Sequence, residues 1–474
     1  MSFRMRLIGW SVEHPRTVVG ITVAVTLVLV VLAALPSVAP QRFPFLHPVQ
    51  VDTDPENMLS AEEPVRVFHE RMKAVLGLHD MVVLGIVNEE HPDGVFNVRS
   101  LKRIYDLAEY AKTLRGKTLG QNDPNAGVIE VDLIAPSTVD NIEQGGPGEV
   151  RFEWLMPRPP ETDEEARAIR DKALNIPFLN GTLVSEDGKA LCIYLPLSSK
   201  TLSYKVYRAL RQMTLPYEKE GGGDRFFITG LPVAEDTFGV EMFIQMAISA
   251  PAAMIVIFLL MLYFFRKLIL IISPLLLAMI VVIWTMCGLV IGGYTIHIMS
   301  SMIPIFLMPI SVLDSIHILS EFFERYQATR DRRKTILHVI DTLFTPMLYT
   351  SLTTMAGFIS LALTPIPPVQ VFGIFVAIGV GIAWVLTMTF IPAYVMLISD
   401  KRLEKFGAVH SESGENLHAS SPMARLLQWT ARFTFRRAKL VLGGTAVVAA
   451  IAVYGILLIQ VNDNPTKWFR KSHP

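Results

Sequence analysis

Residues 304–326 read PIFLMPISVLDSIHILSEFFERY, and the carboxylate inside them, Asp314, decides how the chain is read. The apolar stretch around it, 298–319, is long enough to cross a bilayer. Holding an ionised Asp at the centre of such a helix costs about 2.5–3.5 kcal/mol or more, so membrane carboxylates face a protein interior and carry protons or ions. The competing reading is a protonated Asp hydrogen-bonded to a neighbouring helix. His317 and Glu321 follow at i+3 and i+7, which puts three ionisable side chains on one helix face. Pro304 and Pro309 precede them. Each is expected to remove a backbone donor and weaken a turn, which is tolerated where the freed groups line a cavity or find partners in protein.

Working outward, 51% of the 474 residues are hydrophobic and only 18% charged, too apolar for a soluble protein of this length. Apolar runs at 17–35, 243–265, 268–292, 298–319, 344–363, 371–398 and 440–459 give seven expected spans, each near the roughly 20 residues a bilayer requires. The first run is long enough to span, and Pro36-Ser37-Val38-Ala39-Pro40 is a poor cleavage site, so it reads as a helix rather than a removable leader.

Basic residues set the expected orientation. Arg4, Arg6 and Arg16 precede the first span, and Arg266 and Lys267 join the second to the third. Arg325, Arg330, Arg332, Arg333 and Lys334 fill the next such loop, and Lys401, Arg402, Lys405, Arg425, Arg432, Arg436, Arg437 and Lys439 the last. Residues 293–297 and 364–370 carry no Lys or Arg. The N-terminus (1–16) is thus expected in the cytoplasm, the segment 40–241 outside, and 399–439 as a cytoplasmic loop. A net charge of zero gives no pointer to nucleic acid. Cys192 and Cys287 fall in different compartments and cannot pair with each other; both read as small apolar residues.

The segment 40–241 has the composition of a soluble domain. Helical patterns at 63–76, 98–114, 163–174 and 203–217 alternate with strand-like runs at 81–87, 128–134, 191–197 and 226–229, the pattern of small βαβ units with helices on one sheet face. Gly145, Gly146, Pro147 and Gly148, with Pro157, Pro159 and Pro160, predict a loop between two subdomains. The acidic run 161–165 reads as a helix N-terminus favoured by the dipole. Nucleophile elbow, P-loop, zinc spacing and dinucleotide fingerprint are all missing from the sequence, and Gly221-Gly222-Gly223 reads as a turn, so no enzymatic role and no cofactor is expected.

Residues 49–64, VQVDTDPENMLSAEEP, align without gaps with 459–474, IQVNDNPTKWFRKSHP, matching at Gln50 and Gln460, Val51 and Val461, Pro55 and Pro465, and Pro64 and Pro474. Each segment follows a span, so the seventh helix and residues 460–474 read as the start of a second copy of the first half. One helix, a large domain, five helices and a restart resembles the resistance-nodulation-division (RND) superfamily. ITGLPVAEDTFG before the second span, the 304–326 stretch, and TSLTTMAGFISLALTPIPPVQVFGIFVAIG across the fifth and sixth resemble its hydrophobe/amphiphile exporters of the MMPL type. Their five-helix block is also the sterol-sensing-domain module.

The resemblance implies a polytopic helical membrane protein with an α+β extracytoplasmic, porter-like domain of ferredoxin-like βαβ units, in a bacterial inner membrane. It also implies export of lipids or other hydrophobic or amphiphilic compounds, driven by protons through Asp314. A related GxxxD pattern needs Gly at 310, where this chain has Ile310, leaving close helix packing there unsupported. Thr350 and Thr354, spaced i, i+4 at a similar depth, are expected either to face Asp314 or to bond their own helix carbonyls. His317 is expected to pass protons or to serve as a structural hydrogen-bonding group. Residues 422–437, with Leu426, Leu427, Trp429 and Phe433 among arginines, read as an interfacial or a connecting helix. The expected partners are a second half-transporter or further copies of the chain. A sterol-sensing-type lipid receptor and an accessory subunit of protein secretion are the rival functions.

Overall fold

The computed structural model describes residues 3–39, 42, 43, 46–52, 54–146, 148–265, 268–399 and 422–459. The basic join at Arg266 and Lys267, the loop cations Lys401, Arg402 and Lys405, and the repeat tail from Gln460 onward lie outside them.

Among the described residues, seven helices are long and apolar enough to cross a membrane: α2 (Pro15–Val38), α7 (Leu231–Phe265), α8 (Leu268–Ile291), α9 (Ile303–Thr329), α10 (Arg332–Ile359), α11 (Pro367–Leu397) and α13 (Ala438–Leu457). All seven expected runs fall on them, with two informative differences. α9 starts at Ile303 because Pro304 sits in its first turn, where a missing N–H costs nothing. Pro304 therefore starts the helix, and Pro309 alone lies inside it. α10 begins at Arg332, twelve residues before its apolar run, and the basic stretch 325–334 is mostly two helix ends. Arg330 in the left-handed conformation closes α9, and the Asp331 side chain, accepting from Lys334 N, opens α10. Ahead of the first span, α1 (Phe3–Glu13) packs on α10 and α11 and buries Ile8, Ser11 and Val12.

α11 is the hub of the helical region, packing on α2, α8, α9 and α10. Close packing at 310 lacked sequence support, and it is found instead at Gly379 on α11. A Cβ there would lie 2.5 Å from Leu307 Cδ1 of α9 and 2.9 Å from Thr285 Oγ1 of α8.

The domain inserted between α2 and α7 is built on one antiparallel sheet, ordered β5 (Ala190–Leu197), β2 (Asp80–Asn88), β6 (Asp224–Thr229). Alternation places Val82, Leu84 and Ile86 of β2 and Leu191, Ile193 and Leu195 of β5 in the core. They join Leu101, Ile104 and Leu107 of α4 (Val98–Lys112) and Val206 and Leu210 of α6 (Ser203–Glu220) in one cluster. Each such side chain contributes about 1.5–3 kcal/mol on burial. Two expectations change. Residues 128–134 form isolated bridges, Val128 with Leu197 and Ile134 with Tyr194, interrupted by a 3-10 turn at Glu130–Asp132 that leaves Val131 exposed. The glycine-rich stretch is a hairpin, β3 (Asp140–Gly146) and β4 (Glu149–Trp154). It separates no subdomains, since Leu133, Leu155 and Leu179 share the same core. The remaining helices of the domain are α3 (Pro64–Leu76) and α5 (Asp163–Asn175), the latter capped by Thr162 ahead of its acidic turn.

One pairing had no precursor in the sequence. β1 (Val51–Asp52), between α2 and the inserted domain, runs parallel to β7 (Ile296–His297), in the loop between α8 and α9.

The described residues from Ile398 onward belong to a second unit. Its described part is α12 (Pro422–Arg436), where Trp429 and Phe433 stack 5.5 Å apart and are both exposed, followed by α13. The side chains of Leu426 and Leu427 lie outside the described residues.

A buried carboxylate in the fourth spanning helix

α9 meets α8, α10 and α11, and it turns its smallest side chains toward them. Ser311 and Ser315 are fully buried, with hydroxyls donated to the carbonyls of Leu307 (2.7 Å) and Ser311 (3.0 Å), so neither projects a free donor. Between them Asp314 is 7% exposed. Its hydrogen-bonding partner is the Ser351 hydroxyl of α10, itself 4% exposed.

The expected three-residue face divides. His317 sits close enough to Asp314 to act on it electrostatically, yet its ring is on the exposed side of α9. Glu321 pairs with Arg325 on the next turn. The two threonines do not reach the carboxylate. Thr350 donates to Pro346 O (3.0 Å) and Thr354 to Thr350 O (2.9 Å), the back-bonding arrangement. The reason is helix phase. Buried positions Ile336, Ile340, Met347 and Ser351 form one stripe of α10, and a residue one place earlier points about 100° away from it. That stripe was the signal in the sequence that singled out Ser351.

On another face of α9, α7 and α9 line an open apolar recess of about 560 Å³ formed by Ile257, Leu260, Met261, Pro309, Val312 and Ile316. Its walls offer almost no polar surface, so it suits a hydrocarbon chain or ring rather than a charged solute. On α11, Trp384 Nε1 and Thr387 Oγ1 are buried without a hydrogen-bond partner among the described residues.

Residues 161–441 match the model of the MMPL family, a stretch running from α5 through the first turn of α13 and containing Asp314, Ser351 and the recess. The connector around β1 lies outside that match. No curated protein matches the chain.

Proposed function

The chain belongs to the MMPL family, a membrane transporter of the RND/MMPL class, and from that premise we propose that it exports lipids or other hydrophobic or amphiphilic compounds at the expense of a proton gradient. The observation that carries this reading is Asp314, a carboxylate buried among spanning helices with the Ser351 hydroxyl as its hydrogen-bonding partner. Apart from His317 and the Ser351 hydroxyl nothing described there compensates an ionised form, so gaining or losing a proton changes how α9 packs on α10. A membrane potential supplies about 2.3 kcal/mol per charge per 100 mV, enough to bias two such packings. The apolar recess between α7 and α9 supports an apolar cargo.

In this reading the chain lies in a bacterial inner membrane with its N-terminus in the cytoplasm and the inserted domain outside, as the basic loops favour. The domain is then a ferredoxin-like βαβ unit with one strand reduced to the bridges at Val128 and Ile134. His317, Thr350 and Thr353 are exposed on spanning helices. Polar groups at that depth favour a companion, either a second half-transporter or another copy of the chain.

The test is efflux of a fluorescent lipid analogue from energised vesicles, measured with membrane expression. D314N should fold and lose proton-coupled transport, while D314E should keep part of it. Transport by D314N at the normal rate, still abolished by collapse of the proton gradient, would reject the assignment. The same recess also favours a second reading, a sterol-sensing-type receptor that binds lipid between helices without moving it. Saturable binding of the analogue without vectorial movement would select that reading.

A further inference from the structure

The short connector between α2 and the inserted domain is knotted by its own side chains. Asp52 accepts from Asp54 N (2.9 Å) and Asn57 Nδ2 (2.6 Å), and Asp54 accepts from Glu56 N (2.9 Å). Arg66, in the first turn of α3, donates to Glu56 O (3.2 Å) and Asn57 Oδ1 (2.8 Å). Two side-chain contacts leave this turn in different directions.

On one side Asp52 meets His297 Nδ1 at 3.3 Å, and Ile296 N donates to Gln50 O at 2.8 Å, so backbone and side chain both tie the connector to the α8–α9 loop. Only residues 298–302 separate His297 from α9, the helix that carries Asp314. On the other side Lys200 Nζ lies 2.5 Å from Asp54, 2.7 Å from Glu56 and 4.0 Å from Glu235. Lys200 sits in the 3-10 turn that leads into α6, a helix packed on the core sheet, and Glu235 is in the second turn of α7. These contacts give a displacement of α9 a short route to the inserted domain that does not run along the length of α7.

We propose that the connector from Asp52 to Asn57 is the transmission link between α9 and the inserted domain, with His297 and Lys200 as its two positioning contacts. The link rests on the proton reading of Asp314 and adds the path by which that event reaches the domain. It stays closed through the cycle: a parallel pairing two residues long transmits force only while it is intact. Burial pulls the Lys200 ammonium down, but its bonds to Asp54 and Glu56 outweigh that and hold it above its ordinary value, so the second contact stays charged.

The experiment follows hydrogen exchange across the full chain in lipid nanodiscs, with D314N as a permanently neutral form of the carboxylate. In the native background D314N should shift exchange in 296–302, in the connector and in α6. With K200M the shift in α6 should disappear while that in 296–302 remains, and K200R should restore it. With H297A the shift should be lost from connector and α6 together. A D52C/H297C pair, in a chain with Cys192 and Cys287 replaced by Ser, should transmit when oxidised and fail when reduced.

An α6 response undiminished in K200M and H297A would overturn the link and assign transmission to α7, leaving the proton reading intact. Failure of the oxidised cysteine pair to transmit would overturn the closed link. If D314N abolishes transport yet leaves α6 unchanged in the native background, the link likewise falls alone. Normal proton-driven transport by D314N would remove the reading beneath it.

Discussion

Asp314 lies within a spanning helix and Asp52 in the connector that follows one, and the chain treats the two aspartates in opposite ways. Asp52 accepts from an amide, an asparagine and a histidine, whereas Asp314 accepts from one serine hydroxyl, with His317 acting on it only electrostatically. Burial pushes the Asp52 carboxyl up, but the bonds from His297, Asp54 N and Asn57 outweigh it and hold it below its ordinary 3.8. A carboxylate saturated with donors is a fixed charge, suited to holding parts together. A carboxylate with one neutral donor among apolar helices is suited to exchanging a proton.

The comparison is broken most directly by making the same change at both positions. D314N is expected to abolish proton-coupled transport with little loss of stability. D52N should cost about 1–2 kcal/mol by removing a charged acceptor from three donors, read in a melt. The pH dependence follows in sign. Because its folded value is lowered, Asp52 stabilises fully above its unfolded value near 4 and loses that contribution as pH falls through the lower folded value. Lys200, with its value raised above 10.5, stabilises fully below it and loses that contribution only as pH rises further. Neither the Asp52 carboxylate nor the Lys200 ammonium itself titrates between about pH 5 and 9, and D52N should flatten the acid limb of the stability curve below pH 4.

K200M comes next. It leaves three carboxylates without their shared cation and should cost about 1–3 kcal/mol, less than for a fully buried pair because Lys200 keeps some contact with solvent. G379A should cost about 1–2 kcal/mol and push α9 away from α11, since its Cβ would overlap Leu307. The finest distinction lies on α10. S351A should slow transport by up to about tenfold, the kinetic equivalent of roughly 1.4 kcal/mol, while T350A should change it little because that hydroxyl is spent on Pro346 O. Equal effects from S351A and T350A would erase the assigned partner.

What could be read from residues alone divides along the same physical line. Spanning helices, the strands around Leu84 and Ile193, and the odd carboxylate all announce themselves through composition or short-range period. The phase of α10 was also present, in the Ile336–Ile340–Met347–Ser351 stripe, but it is visible only once the helix is known to begin at Arg332 rather than at its apolar run. The β1–β7 pairing left no such trace, because two residues carry no periodicity and their partners lie about 245 positions away in sequence. Residues 128–134 had strand composition but Val131 found no packing partner, so tertiary context overrode propensity.

The join between sheet and membrane helix has a consequence for the order in which the chain matures. β6 ends at Thr229, Gly230 follows at φ +123°, and α7 starts at Leu231. Gly230 lies so close to β2 that a Cβ would be 2.3 Å from Met81 O. The edge strand and the second spanning helix are thus one continuous piece, and the central strand β2 is made some 140 residues before its second neighbour. Until then β2 holds only β5, with the β6 side of the sheet open. Completing that side and seating α7 are a single late step in synthesis, and a chain halted before Thr229 would present an unpaired edge to chaperones and proteases.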